Sequence, residues 1–275
     1  MSEKHRVAAA FSAAAASFDR AARAQTRAAA HLAALALALP RPAAPRVLEV
    51  GCGTGLLTGR LYAALGGDWL VTDLSPAMVE AARHRAAGAR FRVLDAEAPD
   101  LGDERFDLIV SNLAAQWFAD LGATLAGLAA HLRPGGHLAF STLGAGSFAQ
   151  WRAAHAGLGI SSGIPAYPEA EKMRAGLPAQ THIEEQRFTL SYADGRAFVR
   201  ELKDLGAATP VAGHRPLDAG RLRRLLAALG RPAAMPRTPP TGMYSDQTYY
   251  THEPILVSLQ RWQAAGGASP TGIDR

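Results

Sequence analysis

Three glycines at alternate positions, Gly51, Gly53 and Gly55, follow the apolar run of Val47, Leu48 and Val50 in the segment RVLEVGCGTG. Glycine permits a tight turn and lets the backbone come close to a ligand. Leu56 to Leu65 then takes up helical spacing, so the glycines fall at a strand-to-helix turn, the place where open α/β sheets bind ligands. The spacing is G-x-G-x-G. Leu56 stands where the dinucleotide fingerprint needs its third glycine, and Glu49 precedes the turn where it would repel a pyrophosphate. A cationic or zwitterionic nucleoside suits this turn better. Asp73, at the end of the next apolar segment, can accept both ribose hydroxyls of such a nucleoside. An ordinary charge at a helix start is the less favoured alternative, compatible with Ser75 as a cap and Pro76 at the first helical position.

Positioning these groups requires strands that end at one edge. A second strand is expected over Asp68 to Thr72 and a third over Arg90 to Leu94, followed by Asp95, Ala96 and Glu97. The fourth, Phe106 to Ser111, is very apolar and delivers Asn112 and Leu113 beside the glycine turn. A helix from Leu121 to Leu132, a turn from Arg133 to Gly136 and a strand from His137 to Leu143 complete this part. Beyond it, helices are expected at 147–158, 169–175, 196–205 and 217–229, with a loop over the site at 159–168. Ile183 to Tyr192 alternates as a strand should, and Ile255 to Trp262 reads as the final strand. Before it, two helices occupy residues 1–40, and PRPAAP from Pro40 to Pro45 is a stiff linker. The expected organisation is one structural domain with an N-terminal helical lid (1–40), a ligand-binding core (46–145), a substrate-side insertion with closing strands (146–262) and a mobile tail (263–275).

Composition bounds the function. The chain has 275 residues, 48% of them hydrophobic, enough for a sizeable core. Cys52 is the single cysteine, which excludes a disulfide framework and a multi-cysteine metal site. His5, His131, His155, His214 and His252 lack ligand spacing, and no metal is expected. Lys4, His5 and Arg6 ahead of Val7 to Phe18 imitate a signal peptide, but alanine dominates that run and the helical pattern continues past it. Ala28 to Leu39 is too short for the ~20 residues of a membrane helix. A cytoplasmic location away from membranes is expected. The net charge of +5 is compatible with nucleic acid, an acidic protein partner or an arginine-rich proteome.

The pattern E/D-x-G-x-G-x-G after a first strand resembles motif I of the class I S-adenosylmethionine-dependent methyltransferases. The base-flipping aromatic motif of enzymes that methylate nucleic-acid amino groups is absent from SNLAAQW, Ser111 to Trp117. That segment, together with LRPGGHLAFSTL, Trp151 and Arg152, is similar instead to the malonyl-acyl-carrier-protein O-methyltransferases, the BioC family of biotin synthesis. VAAAFSAAAASFDRAARAQ is similar to that family's N-terminal helix, with Phe18 where a tyrosine is usual, and FVRELKDLG matches a later helix. Pro232 to Glu253 does not align well. The resemblance implies an α/β, Rossmann-like fold with a seven-stranded sheet, an N-terminal helical lid and an insertion between strands five and six.

It also implies S-adenosylmethionine as cofactor, held by Gln25, Glu49, Gly51, Gly53, Gly55, Asp73, Leu74, Asp95, Ala96, Asn112 and Leu113. In the family the position of Asp95 accepts from the adenine amine. Phe18, Trp117 and Arg152 are the implied substrate-side residues, and the substrate is a malonyl thioester on an acidic acyl-carrier protein, with no stable nucleic-acid partner. Trp117 could equally be core, and Arg152 a solvated helix residue. A malonyl carboxylate is ionised at neutral pH, so no general base is expected; positioning and water exclusion carry the reaction. Arg196, Arg200, Lys203, Arg221, Arg223 and Arg224 are candidates for meeting the carrier protein. Three other readings are open: methylation of a small free carboxylic acid, a methyltransferase-like assembly factor or arginine hydroxylase of respiratory complex maturation, and an RNA-modifying enzyme suggested by net charge.

Overall fold

The computed structural model describes residues 3–179, 181–211, 213–229, 248–252 and 254–260. Five parallel strands make its centre: β1 (Arg46–Val50), β2 (Asp68–Asp73), β3 (Arg90–Val93), β4 (Phe106–Asn112) and β5 (Leu132–Leu143), in spatial order β3-β2-β1-β4-β5. Four more strands follow: β6 (Thr181–Glu185), β7 (Phe188–Tyr192), β8 (Thr248–His252) and β9 (Pro254–Gln260). β9 pairs antiparallel with β5 and β6 with β9, whereas β7 and β8 form a separate antiparallel pair.

The N-terminal segment folds as α1 (Glu3–Ala14), α2 (Phe18–Ala21) and α3 (Arg23–Ala38), three helices where the sequence suggested two. The chain leaves helical geometry at Ala22, with ψ at 45°, before α3 begins. The other helices are α4 (Thr58–Leu65), α5 (Pro76–Ala82), α6 (Leu121–Ala129), α7 (Ala149–Gly157), α8 (Ala170–Ala175), α9 (Gly195–Asp204) and α10 (Ala219–Leu229).

The central strands read as unbroken apolar runs because both sheet faces are covered. Val47, Trp69, Val71, Leu108 and Val110 pack on one face against Leu61 and Leu65 of α4 and Leu32 and Ala36 of α3. Leu48, Leu70, Ile109, Leu138 and Phe140 pack on the other, against Leu125 and Leu128 of α6. Successive strand residues point to opposite faces, so each run fills two cores at once.

Two further expectations about elements change. The stretch 183–192 is two strands in different sheets, because alternation reports a buried face but not which partner it pairs with. The helix expected to reach Leu132 stops at Ala129; Leu132 instead pairs with Phe106, and the register shifts between Phe106 and Leu108. Among the described residues, no helix is long and apolar enough to cross a membrane, and no group of three His, Cys, Asp or Glu side chains could hold a metal ion. The tail 263–275 and most of the Pro-rich stretch 232–253 lie outside the described residues.

Candidate active site

Strand order reverses between β1 and β4, the point where open α/β sheets leave a crevice beyond their carboxyl ends. A cleft with about 750 Å³ of empty space, its open mouth included, lies there. Its floor is Gly51, Gly53, Asp73, Leu74, Asp95, Ala96 and Leu113, and Trp117 forms a wall. Residues from the ends of β1, β2, β3 and β4 therefore converge on the cleft.

Gly51 has φ at +65°, and a side-chain carbon on it would stand 2.4 Å from the Cβ of Ala114, so both conformation and space demand glycine. The amide of Gly53 donates to Asp73 Oδ2 at 2.9 Å, and the amide of Ser75 donates to Oδ1 at 2.8 Å. Asp73 thus joins the glycine turn to the start of α5, and its remaining lone pairs are available to a ligand. Burial raises its carboxyl, opposed by these backbone hydrogen bonds. The helix-start reading of Asp73 is compatible with this geometry: Ser75 Oγ accepts from the amide of Met78, and Pro76 opens α5.

Other candidates sit behind the cleft surface. Glu49 is 1% exposed, and its Oε2 accepts from Thr58 Oγ1 at 2.6 Å. Burial pushes its carboxyl up to about 8, so at neutral pH it is mainly neutral rather than a repelling charge. Gly55 lies against the side chain of Arg85. Asn112 Nδ2 donates to the carbonyl of Gln25 at 3.1 Å and its Oδ1 accepts from Ser141 Oγ at 2.9 Å, tying α3 to the ends of β4 and β5. Gln25 Oε1 is buried without a hydrogen-bond partner. Phe18 packs with Ala21, Ala22, Met78 and Leu205 behind the glycine turn.

Residues 47–136 match the family profile described as a methyltransferase domain. A malonyl-[acyl-carrier protein] O-methyltransferase of Magnetococcus marinus is 40% identical over 69% of this chain and 72% of its own length. The protein of that name from Pseudescherichia vulneris is 39% identical over 81% of this chain and 88% of its own. The chain belongs to this O-methyltransferase family. It is also 45% identical to the biotin biosynthesis bifunctional protein BioCD of Bordetella avium, covering 82% of this chain and 48% of that protein, so it spans about half of that relative. The fold is shared with the YcgJ protein of Bacillus subtilis, with a TM-score of 0.57 and 18% identity over 85% of this chain and all of that one.

In this methyltransferase Arg152 lies on α7, away from the cleft lining. Its Nε donates to the Ser147 carbonyl at 3.3 Å, its Nη2 donates to the Pro165 carbonyl at 2.7 Å, and its guanidinium sits 5.6 Å over the Tyr167 ring. Burial raises Tyr167 to about 12, so the ring stays a neutral phenol. Around it, Leu113, Phe148, Trp151, Tyr167 and Phe198 form an apolar cluster. Leu113 and Phe148, at φ of 49° and 60°, are the positive-φ residues other than glycine among the described ones. Such backbone costs of order 1–3 kcal/mol and persists where the surroundings enforce it, often at functional sites.

A helical lid was expected over 1–40, but the residues with which α1 meets the cleft were not singled out in the sequence. Lys4, Val7, Ala8 and Phe11 of α1 line the cleft, a spacing that puts them on one helical face. That stripe was legible in principle, but the alanine-rich run hid it. Phe11 meets Trp117 edge-on at 5.6 Å between ring centres. Ser12 Oγ lies 2.7 Å from Ser75 Oγ, and Asp19 accepts from Thr54 Oγ1 and from Arg85 Nη2.

Proposed function

We propose that the chain transfers a methyl group from S-adenosylmethionine to the free carboxylate of a malonyl thioester on acyl-carrier protein, a step of biotin synthesis. The similarity to malonyl-[acyl-carrier protein] O-methyltransferases over most of both chains carries this reading. The residues present fit the cofactor: the cleft is acidic, Asp73 keeps unused lone pairs, and Gln25 Oε1 is an orphaned buried acceptor. Asp73 would take the ribose hydroxyls, Asp95 the adenine amine, and Gly51, Gly53, Leu74, Ala96 and Leu113 the surrounding contacts. Asn112 would hold Gln25 against the end of β4.

Bound there, S-adenosylmethionine supplies a methyl group activated by a sulfonium. The acceptor is already ionised, so the chain moves no proton and needs no general base. Its work is to bind, orient and keep water out. Helices 1–38 form the lid in this reading, and residues 146–260 the substrate side that completes a seven-stranded sheet. Arg152 is the proposed carboxylate clamp: two backbone carbonyls and the Tyr167 ring hold its guanidinium, which keeps further N–H donors for a carboxylate. Trp117 is the proposed wall between cofactor and acceptor, and the enzyme acts in the cytoplasm.

The test is the intact mass of malonyl-carrier protein incubated with enzyme and S-adenosylmethionine. A gain of one methyl, removed by mild base hydrolysis of the ester, supports the reading. An unmodified carrier, with the methyl found elsewhere or nowhere, contradicts it.

A further inference from the structure

Three carboxylates line the cleft, Asp73, Asp95 and Glu97, and Lys4 is the cation in that lining among the described residues. Lys4 Nζ donates to Asp95 Oδ2 and, at 3.4 Å, to Glu97 Oε2. The other oxygen of Asp95 accepts from the Glu97 amide at 3.1 Å, so both ends of that carboxylate are fixed. Glu97 Oε1 accepts from the Ala119 amide at 2.6 Å, which carries the connection on to the segment holding Trp117 and Phe118. Phe11, two helical turns along α1, packs edge-on to Trp117. One face of α1 therefore grips the loops after β3 and β4 through charge at one end and an aromatic contact at the other.

We infer that Lys4 is a positioning residue for the nucleoside end of the cleft, fixing the plane of Asp95 so that its remaining lone pairs meet the base amine. Closure of α1 and recognition of the base are then coupled: a ligand that uses Asp95 favours the closed helix, and the closed helix favours that ligand. A carboxylate released from Lys4 would rotate, stay hydrated and orient less sharply. Lys4 also offsets part of the negative charge that the lining would otherwise direct at any acceptor carboxylate.

The inference rests on the cofactor reading above, and the experiment separates the two. S-adenosylhomocysteine is the probe, because it carries no net charge and the altered cleft charge of a variant affects it little. Its hypoxanthine counterpart, with a carbonyl in place of the exocyclic amine, is the second probe. Both are titrated calorimetrically into the full chain as wild type, Lys4→Met and Lys4→Arg, with melting curves recorded alongside. Lys4 is 36% exposed, so the variants should melt near the parent. Wild type should prefer the adenine form. Lys4→Met should weaken that form by about 5- to 20-fold, leave the hypoxanthine form within about twofold, and so erode the preference, while Lys4→Arg restores most of it. Equal weakening of both probes would make Lys4 a lid fastener without a role in base recognition and overturn the inference. Unchanged binding of both would overturn it too. Failure of wild type to bind either probe would remove the cofactor reading and the inference with it.

Discussion

At the scale of single residues, Glu49 is the sharpest departure from expectation. In sequence it is an acid beside a ligand-binding turn; in the structure it is a buried carboxyl hydrogen-bonded to Thr58 and held near 8 by desolvation. A carboxyl raised in the folded state binds its proton more tightly there than in the unfolded chain. Its stabilisation is complete below the ordinary carboxylate range and is lost as pH rises towards about 8. Glu49→Gln keeps an acceptor for Thr58 without that titration. The melting-point difference, variant minus parent, should grow between about pH 5 and 8 and then level off; parallel curves would show that Glu49 is ionised throughout. Asp73→Ala should weaken S-adenosylhomocysteine binding by at least ~1.5 kcal/mol, because charge-assisted bonds to the ribose disappear. Unchanged calorimetric affinity would take Asp73 out of the site. Arg152→Ala should leave that affinity intact and lower kcat/KM for malonyl-carrier protein by roughly 2–4 kcal/mol. Lysine should rescue poorly, since a point charge lacks the planar fork. A parental rate in the alanine variant would place the carboxylate clamp elsewhere.

At the scale of elements, the N-terminal helices divide into α1, which lines the cleft, and a buried root. In α1 only Ala14 is buried, whereas Phe18, Ala21 and Ala22 are packed with Met78 and Leu205. Removing residues 1–13 should therefore cost little stability and much activity, about 100-fold or more, because α1 positions and excludes water. Removing residues 1–24 should cost both, since it also strips buried apolar surface. Melting curves and steady-state rates of the two truncations decide this. If both truncations lose rate and melting temperature in proportion, α1 is as much core as α2. The parallel strands were legible in the sequence because burial on both faces writes a continuous apolar run. The split of residues 183–192 into β6 and β7 was not, since the two halves differ only in partners far along the chain. That Asp73, Asp95 and Leu113 reach the cleft was legible because they lie at or just beyond strand ends. Lys4 and Phe11 were not, because a roof helix is brought to the cleft by packing rather than by a strand end.

At the scale of the whole molecule, an acidic cleft sits in a chain of net charge +5. Arg196, Arg200 and Lys203 are exposed on α9, and Arg221, Arg223 and Arg224 on α10, while Ser17 Oγ donates to the Asp204 carbonyl at 2.7 Å, bringing the end of α9 against the start of α2. Under the proposed function, basic helices beside an acidic cleft suit an acidic carrier protein. The measurement that most directly tests the account is the initial rate of methyl transfer, side by side, to malonyl-carrier protein, malonyl-coenzyme A, free malonate and RNA. Malonyl-carrier protein should give the highest kcat/KM, with a KM that rises with salt, followed by malonyl-coenzyme A, while malonate and RNA stay near background. A preference for free malonate or another small acid, or RNA methylation above the carrier-protein rate, would contradict it.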